Sequence, residues 1–160
     1  MTDPVLLHEY LSADLISVQA EITSRKKLLE EVARLLSMPL DGVKEKDICH
    51  CLLEREKLGN TGIGNGVALP HSRSEQTKTA IIAIITLKEA VDYHSVDRQP
   101  VDVAFGLLVP SEATSQHLGL LAAIARLMSD NDKKAQLSSA QTSEQALDLI
   151  TTWSRQTNDI

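Results

Sequence analysis

Two histidines, His71 and His117, and two arginines, Arg55 and Arg73, are the residues of this chain whose types and settings suit chemistry on a charged group. His71 ends the string Gly59-Asn60-Thr61-Gly62-Ile63-Gly64-Asn65-Gly66-Val67-Ala68-Leu69-Pro70-His71, in which four of the protein's seven glycines fall within eight residues. Glycines so clustered cost backbone entropy, and they mark turns of positive φ or a close approach of the backbone to something else. Val67-Ala68-Leu69 reads as a short strand. Pro70 fixes its own φ and presses Leu69 towards extended geometry, which limits where the His71 ring can point. His117 falls in the first turn of a helix expected after a Val101–Val109 strand. Its spacing to Leu121, Ile124 and Met128 puts it on the inward stripe of that helix. Sites in open α/β sheets collect outside the carboxyl ends of strands, where helix N-termini favour anions, so the two histidines are candidates for one shared site. The competing reading makes His117 a boundary histidine with its hydrogen bonds satisfied and no chemical role.

Neutral imidazole, with an ordinary pKa of about 6.5, is a nucleophile near neutral pH. It can accept a phosphoryl group on one ring nitrogen when a hydrogen bond at the other fixes the tautomer. The added charge then needs donors already in place, and Arg55, Arg73 and the amides of the 59–66 loop are the available suppliers. A helix terminus contributes only about 0.3–1 kcal/mol when exposed and up to about 2 kcal/mol when partly buried, so several donors must act together. In Glu54-Arg55-Glu56, the bland alternative for Arg55 is a solvated helix end.

The elements that must hold these residues follow from periodicity. Residues 1–14 carry a weak pattern with a helical turn around Leu6 to Leu11, and Leu15 to Val18 reads as a short strand. Ser24 caps a helix with Leu28, Leu29, Val32, Leu35 and Leu36 on one stripe. A second helix runs from about Lys44 to Glu56, with Ile48 and Leu52 inward, and Gly59 stops it. Ser72 to Lys78 is expected as a polar turn. Thr79–Leu87 and Val101–Val109 are apolar enough for strands buried on both faces, with a polar loop over Tyr93 to Pro100 between them. Thr114 or Ser115 caps the His117 helix, a short helical segment follows from Asp130 to about Ser138, and a last helix spans Ser143 to Trp153 without a full capping box. Residues 154–160 are expected to fray. The class is α/β, a single domain with a mixed parallel and antiparallel sheet flanked by helices. The strands around residues 67, 79 and 101 follow one another through loops alone, which requires an antiparallel pair.

Composition narrows the function classes. At 160 residues one domain is expected, covering 1–160 with a core from about 10 to 153. Aromatic residues make up 2% and the net charge is −6, which speaks against nucleic acid as a partner, whether by base stacking or by phosphate contacts. No stretch approaches the roughly 20 apolar residues of a membrane span, and no basic, apolar leader opens the chain, so a cytoplasmic protein without membrane insertion is expected. Cys49 and Cys51 are the only cysteines and are expected reduced. Neither a metal nor a cofactor is expected. Cys49-His50-Cys51 sits on a helix, where neighbouring side chains diverge by about 100° and do not converge on zinc. The glycine string lacks the Gly-Lys-Ser/Thr of a phosphate loop and the G-x-G-x-x-G spacing of a dinucleotide fold. Ser72 is not in a nucleophile elbow. His8 and His94 have no identifiable partners.

Arg55-Glu56 followed by the string from Gly59 to His71 resembles the signature of the fructose/mannitol-type enzyme IIA family of the phosphoenolpyruvate-dependent phosphotransferase system. Within that family it is most similar to the nitrogen-regulatory enzyme IIA proteins. The similarity continues through Gln99-Pro100-Val101-Asp102, the strand ending Leu107-Leu108-Val109-Pro110, and the His117-Leu118 helix. The resemblance implies a mixed sheet with helices on both faces. It implies that His71 is phosphorylated by an HPr-type phosphocarrier donor, that His117 is the second active-site histidine, and that Arg55 lies near them. Where family members often have Gly-Lys after the Pro-His, this chain has Ser72-Arg73, which keeps the cation and loses the glycine. The output implied is regulation of partner proteins, their identity unspecified, according to phosphorylation state. The alternatives are a sugar-specific enzyme IIA that passes the group to a IIB domain, and a binding module that transfers no phosphate.

Overall fold

The computed structural model describes residues 6–112 and 115–156. After 3-10 turns at Leu7–Tyr10 and Ala13–Leu15, the elements are β1 (Ile16–Ala20), α1 (Arg25–Ser37), α2 (Glu45–Leu58), β2 (Gly62–Gly64), β3 (Val67–Ala68), β4 (His71–Ser74), β5 (Ile81–Val91), β6 (Val101–Pro110), α3 (Ser115–Met128), α4 (Asn131–Ser138) and α5 (Ser143–Gln156). Among the described residues six strands form one sheet in the order β1-β5-β6-β3-β2, with β4 also paired to β6.

The sheet is mixed, as the loop-only connections require. β5 and β6 are antiparallel, with Ile84 opposite Phe105, and β1 lies parallel to β5 on its far side. β3 and β4 both run parallel to β6, with Val67 opposite Val103 and His71 opposite Leu107. They form one ribbon interrupted at Leu69-Pro70, and Leu107 N–H reaches across that gap to the Pro70 carbonyl at 3.0 Å.

Alternation along the two long strands sorts the core into two layers. Ile82, Ile84, Phe105 and Leu107 face α3, α4 and α5, packing with Leu120, Ile124, Ile150 and Trp153. Ile81, Ala83, Ile85 and Leu108 face α1 and α2, packing with Leu28, Val32, Leu36 and Leu52. Helices therefore cover both faces.

Several local expectations are corrected. The polar turn expected over Ser72 to Lys78 begins as strand β4, because pairing with β6 overrides a sequence with no apolar residues. The strand expected to end at Leu87 continues through a register shift to Val91, which pairs with Val101 although Lys88, Glu89 and Ala90 are exposed. The cap of α5 is Thr142, whose Oγ1 accepts from Gln145 N–H at 3.1 Å, while the Ser143 hydroxyl donates to the Ile16 carbonyl at 2.7 Å. Ser24 does cap α1, accepting from Lys27 N–H at 3.2 Å. Residues 154–156 are helical rather than frayed; 157–160 lie outside the described residues, as does the candidate cap Thr114, while Ser115 is the first residue of α3.

Candidate active site

The glycine string folds as a hairpin. Asn65 and Gly66 have φ of 58° and 75°, the left-handed pair that a tight two-residue turn between β2 and β3 requires. Gly62 answers a different need, since a Cβ there would stand 2.2 Å from Ser95 Oγ. The hairpin thus packs against the β5–β6 loop, and at its tip the Asn65 amide donates to the Met128 carbonyl at 3.1 Å. It returns the chain to β6 as β3, and Leu69-Pro70 then delivers His71.

The half-buried His71 places Nδ1 2.6 Å from the carbonyl oxygen of Leu69. A carbonyl only accepts, so Nδ1 carries the proton and the lone pair of the neutral ring is on Nε2. Burial holds His71 below the ordinary histidine range. The Leu69 hydrogen bond opposes that shift and the Arg55 charge adds to it, with Glu56 pulling the other way.

His71 opens onto a cleft of about 550 Å³. Helix α2 contributes His50, Cys51, Glu54, Arg55 and Leu58; β4 contributes His71, Ser72 and Arg73; β6 contributes Leu107 and Val109; α3 contributes His117, Leu118 and Leu121. The three expected residues, His71, His117 and Arg55, line one cleft, and Arg73 joins them. The arrangement is an imidazole with a defined open nitrogen, arginines on two elements, a second histidine on a third, and apolar walls that reduce competition from water.

The hairpin amides are not part of it. Among the described residues none from 59–66 lines the cleft, because the loop is turned towards Ser95 and Met128. Anion stabilisation here falls to side chains. His50 and Cys51 both edge the cleft, while Cys49 packs on the α1 side, so the Cys49-His50-Cys51 run splits as helical geometry demands. No group of three His, Cys, Asp or Glu suited to a metal occurs among the described residues. His94 lies near Asp92 in the β5–β6 loop, with Nδ1 3.8 Å from its carboxylate, and His8 is in the first 3-10 turn; neither lines this cleft.

One cluster escaped the sequence reading. Within Glu54-Arg55-Glu56 the three side chains part: Glu54 is exposed, Arg55 is half-buried, and Glu56 is only 8% exposed. Its carboxylate accepts from Tyr93 Oη at 2.7 Å, Arg25 Nη2 at 2.7 Å, Thr61 N–H at 3.2 Å and the Thr61 hydroxyl. Burial pushes its pKa up, but the hydrogen bonds from Thr61, Tyr93 and Arg25 outweigh burial and hold it below the ordinary carboxylate range. Tyr93, expected in a polar loop, is fully buried, with the Arg25 guanidinium 5.1 Å from its ring centroid. Its burial pushes the phenol well above its ordinary range. The available signals were a tyrosine in a chain with few aromatics and a Glu five residues before a Thr.

Residues 9–153 match the family model for the phosphoenolpyruvate-dependent sugar phosphotransferase system, EIIA 2. The chain is 40% identical over 127 residues to the nitrogen regulatory protein of Pseudomonas aeruginosa, covering 79% of this chain and 82% of that one. It is 33% identical over 146 residues to the nitrogen regulatory protein of Escherichia coli K12, covering 91% and 89%. The crystal structure of nitrogen regulatory protein IIA-Ntr from Neisseria meningitidis superposes with a TM-score of 0.85 at 36% identity, covering 91% of this chain and 99% of that one. This match over nearly the whole chain agrees with the signature that runs from Arg55 to His71, and the protein belongs to the EIIA 2 family of the phosphoenolpyruvate-dependent sugar phosphotransferase system.

Proposed function

We propose that this protein is a cytoplasmic phosphocarrier that takes a phosphoryl group on His71 Nε2 from an HPr-type donor and regulates partner proteins by its phosphorylation state. The observation that carries this reading is the Nδ1 hydrogen bond to Leu69, which leaves Nε2 as the nucleophile in a cleft shared with Arg55, Arg73 and His117. The Nε2 lone pair forms the bond to phosphorus as the bond from phosphorus to the donor breaks, and that electron pair leaves with the donor. Nδ1 keeps its proton throughout, and its positive charge in the product is shared with the Leu69 carbonyl. Arg55 and Arg73 take up charge on the phosphoryl oxygens, with His117 facing them from α3. The regulatory output is supported by the likeness to nitrogen regulatory proteins.

Intact mass after incubation with phosphoenolpyruvate, enzyme I and an HPr-type donor tests the chemistry. A single acid-labile phosphoryl adduct on the wild type, lost in His71→Ala, is expected. An adduct that persists in His71→Ala overturns the site. Sugar phosphate formed on adding a IIB domain and sugar would instead favour a transport subunit.

A further inference from the structure

Glu56 has no contact with the cleft, yet it begins an unbroken chain of hydrogen bonds that ends on the reacting ring. Thr61 N–H donates to the Glu56 carboxylate at 3.2 Å, Leu69 N–H donates to the Thr61 carbonyl at 2.9 Å, and His71 Nδ1 donates to the Leu69 carbonyl at 2.6 Å. Along α2, Glu56 and Arg55 diverge by about 100°, so holding Glu56 inward turns Arg55 outward to the cleft. Arg55 Nη1 also donates to the Gly59 carbonyl at 2.8 Å, closing the same turn from the other side. Tyr93 from the β5–β6 loop and Arg25 from the start of α1 hold the rest of the carboxylate.

A carboxylate buried in this way is costly to desolvate, and for packing alone an apolar side chain of similar size would serve as well or better. What the charge adds is a directional anchor for several donors at once. We infer that Glu56 is a positioning residue for phosphoryl transfer at His71, acting on the ring through Thr61 and Leu69 and on Arg55 through helix α2. The inference rests on His71 being the phosphoryl acceptor. Its structural half, control of the ring's tautomer and titration, is measurable without any transfer.

The test uses the full chain as wild type, Glu56→Gln and Tyr93→Phe. Single-turnover transfer from a phosphorylated HPr-type donor is measured together with nitrogen-15 NMR of the His71 ring and thermal melting. Glu56→Gln is expected to melt cooperatively, to leave the donor KM unchanged and to lower the maximal transfer rate about 10- to 100-fold, the scale of loss when reacting groups are displaced by about 1 Å. Its His71 ring should titrate at lower pH than in wild type and lose its preference for the Nδ1–H tautomer. Tyr93→Phe should move the same quantities less. The titratable and charged groups that line the cleft with His71 are His50, Cys51, Glu54 and Arg55 from α2, Arg73 from β4 and His117 from α3, and all remain in both variants. Unchanged rate, tautomer and titration beside a lowered melting temperature would overturn the inference and leave Glu56 as a purely structural residue. Should Glu56→Gln fail to fold, Tyr93→Phe decides by the same criteria. If the wild type accepts no phosphoryl group the proposed function falls, and the ring's tautomer and titration alone decide the positioning role.

Discussion

Val32 of α1 packs directly on the backbone of Gly106 at the middle of β6: a Cβ at position 106 would stand 2.4 Å from Val32 Cγ1. Gly106 has no need of an unusual φ; it is small so that the helix can sit close to the sheet. Gly106→Ala should therefore destabilise the protein by about 1–3 kcal/mol through overpacking, read as a fall in the urea midpoint. Adding Val32→Ala should recover part of that loss. Strict additivity of the two changes would show that the contact is not where the cost arises.

The pH dependence of transfer follows from His71. Its pKa is held below the ordinary value by burial, so the nucleophilic neutral ring persists to a lower pH than in an exposed histidine. The transfer rate should stay level as pH falls from neutrality and drop only below the ordinary histidine range. The same shift sets a stability trend. The unfolded chain binds the proton more readily, so stability is full above the unfolded pKa and is lost as pH falls from there through the folded value. A urea midpoint that rises on acidification through this window in the wild type, but not in His71→Gln, would contradict the sign.

Of the histidines, His117 and His50 share the cleft with His71, whereas His8 and His94 do not. His117→Ala should slow transfer about 100-fold or more, the scale expected for removing one preorganised partner of a developing anion. His8→Ala and His94→Ala should leave the rate near that of the wild type. Equal losses across the three variants would break the shared site.

Asp102, at the second position of β6, meets Lys134 of α4 with Oδ1 2.5 Å from Nζ, and its other oxygen accepts from the Ser138 hydroxyl at 3.1 Å. Both side chains are mostly buried, at 25% and 17% exposure, so the pair is only lightly screened. Asp102→Ala leaves Lys134 unpaired and should cost about 1–3 kcal/mol by chemical denaturation. Neither residue lines the cleft, so the transfer rate should hold at a temperature where the variant is folded. A rate that falls with stability intact would mean that this pair reaches the site.

Much of the fold was legible because burial writes itself into side-chain spacing. The stripes on α1 and α3 and the two long apolar runs of β5 and β6 could be read directly, and the short links between strands required an antiparallel pair. β2 and β4 could not be read. They are three and four residues long, mostly small or polar, and are strands only because partners are already in place beside them. Of the candidate site, the line from Gly59 to His71 marked the segment that reaches the cleft, but suggested that its glycine amides face the anion; they serve the hairpin instead.

What the chain determined by itself is therefore local. The Asn65-Gly66 turn, the Leu69-Pro70 step and the Ser24 cap each follow from the backbone limits of a few neighbouring residues. Tertiary structure alone decided that His71, Arg55, Arg73 and His117 line one cleft, that Tyr93 is interior, and that Glu56 rather than Glu54 is buried. Those outcomes depend on which surfaces meet across tens of residues. A carboxylate's burial follows from the donors that arrive around it, and no spacing in the sequence records their arrival.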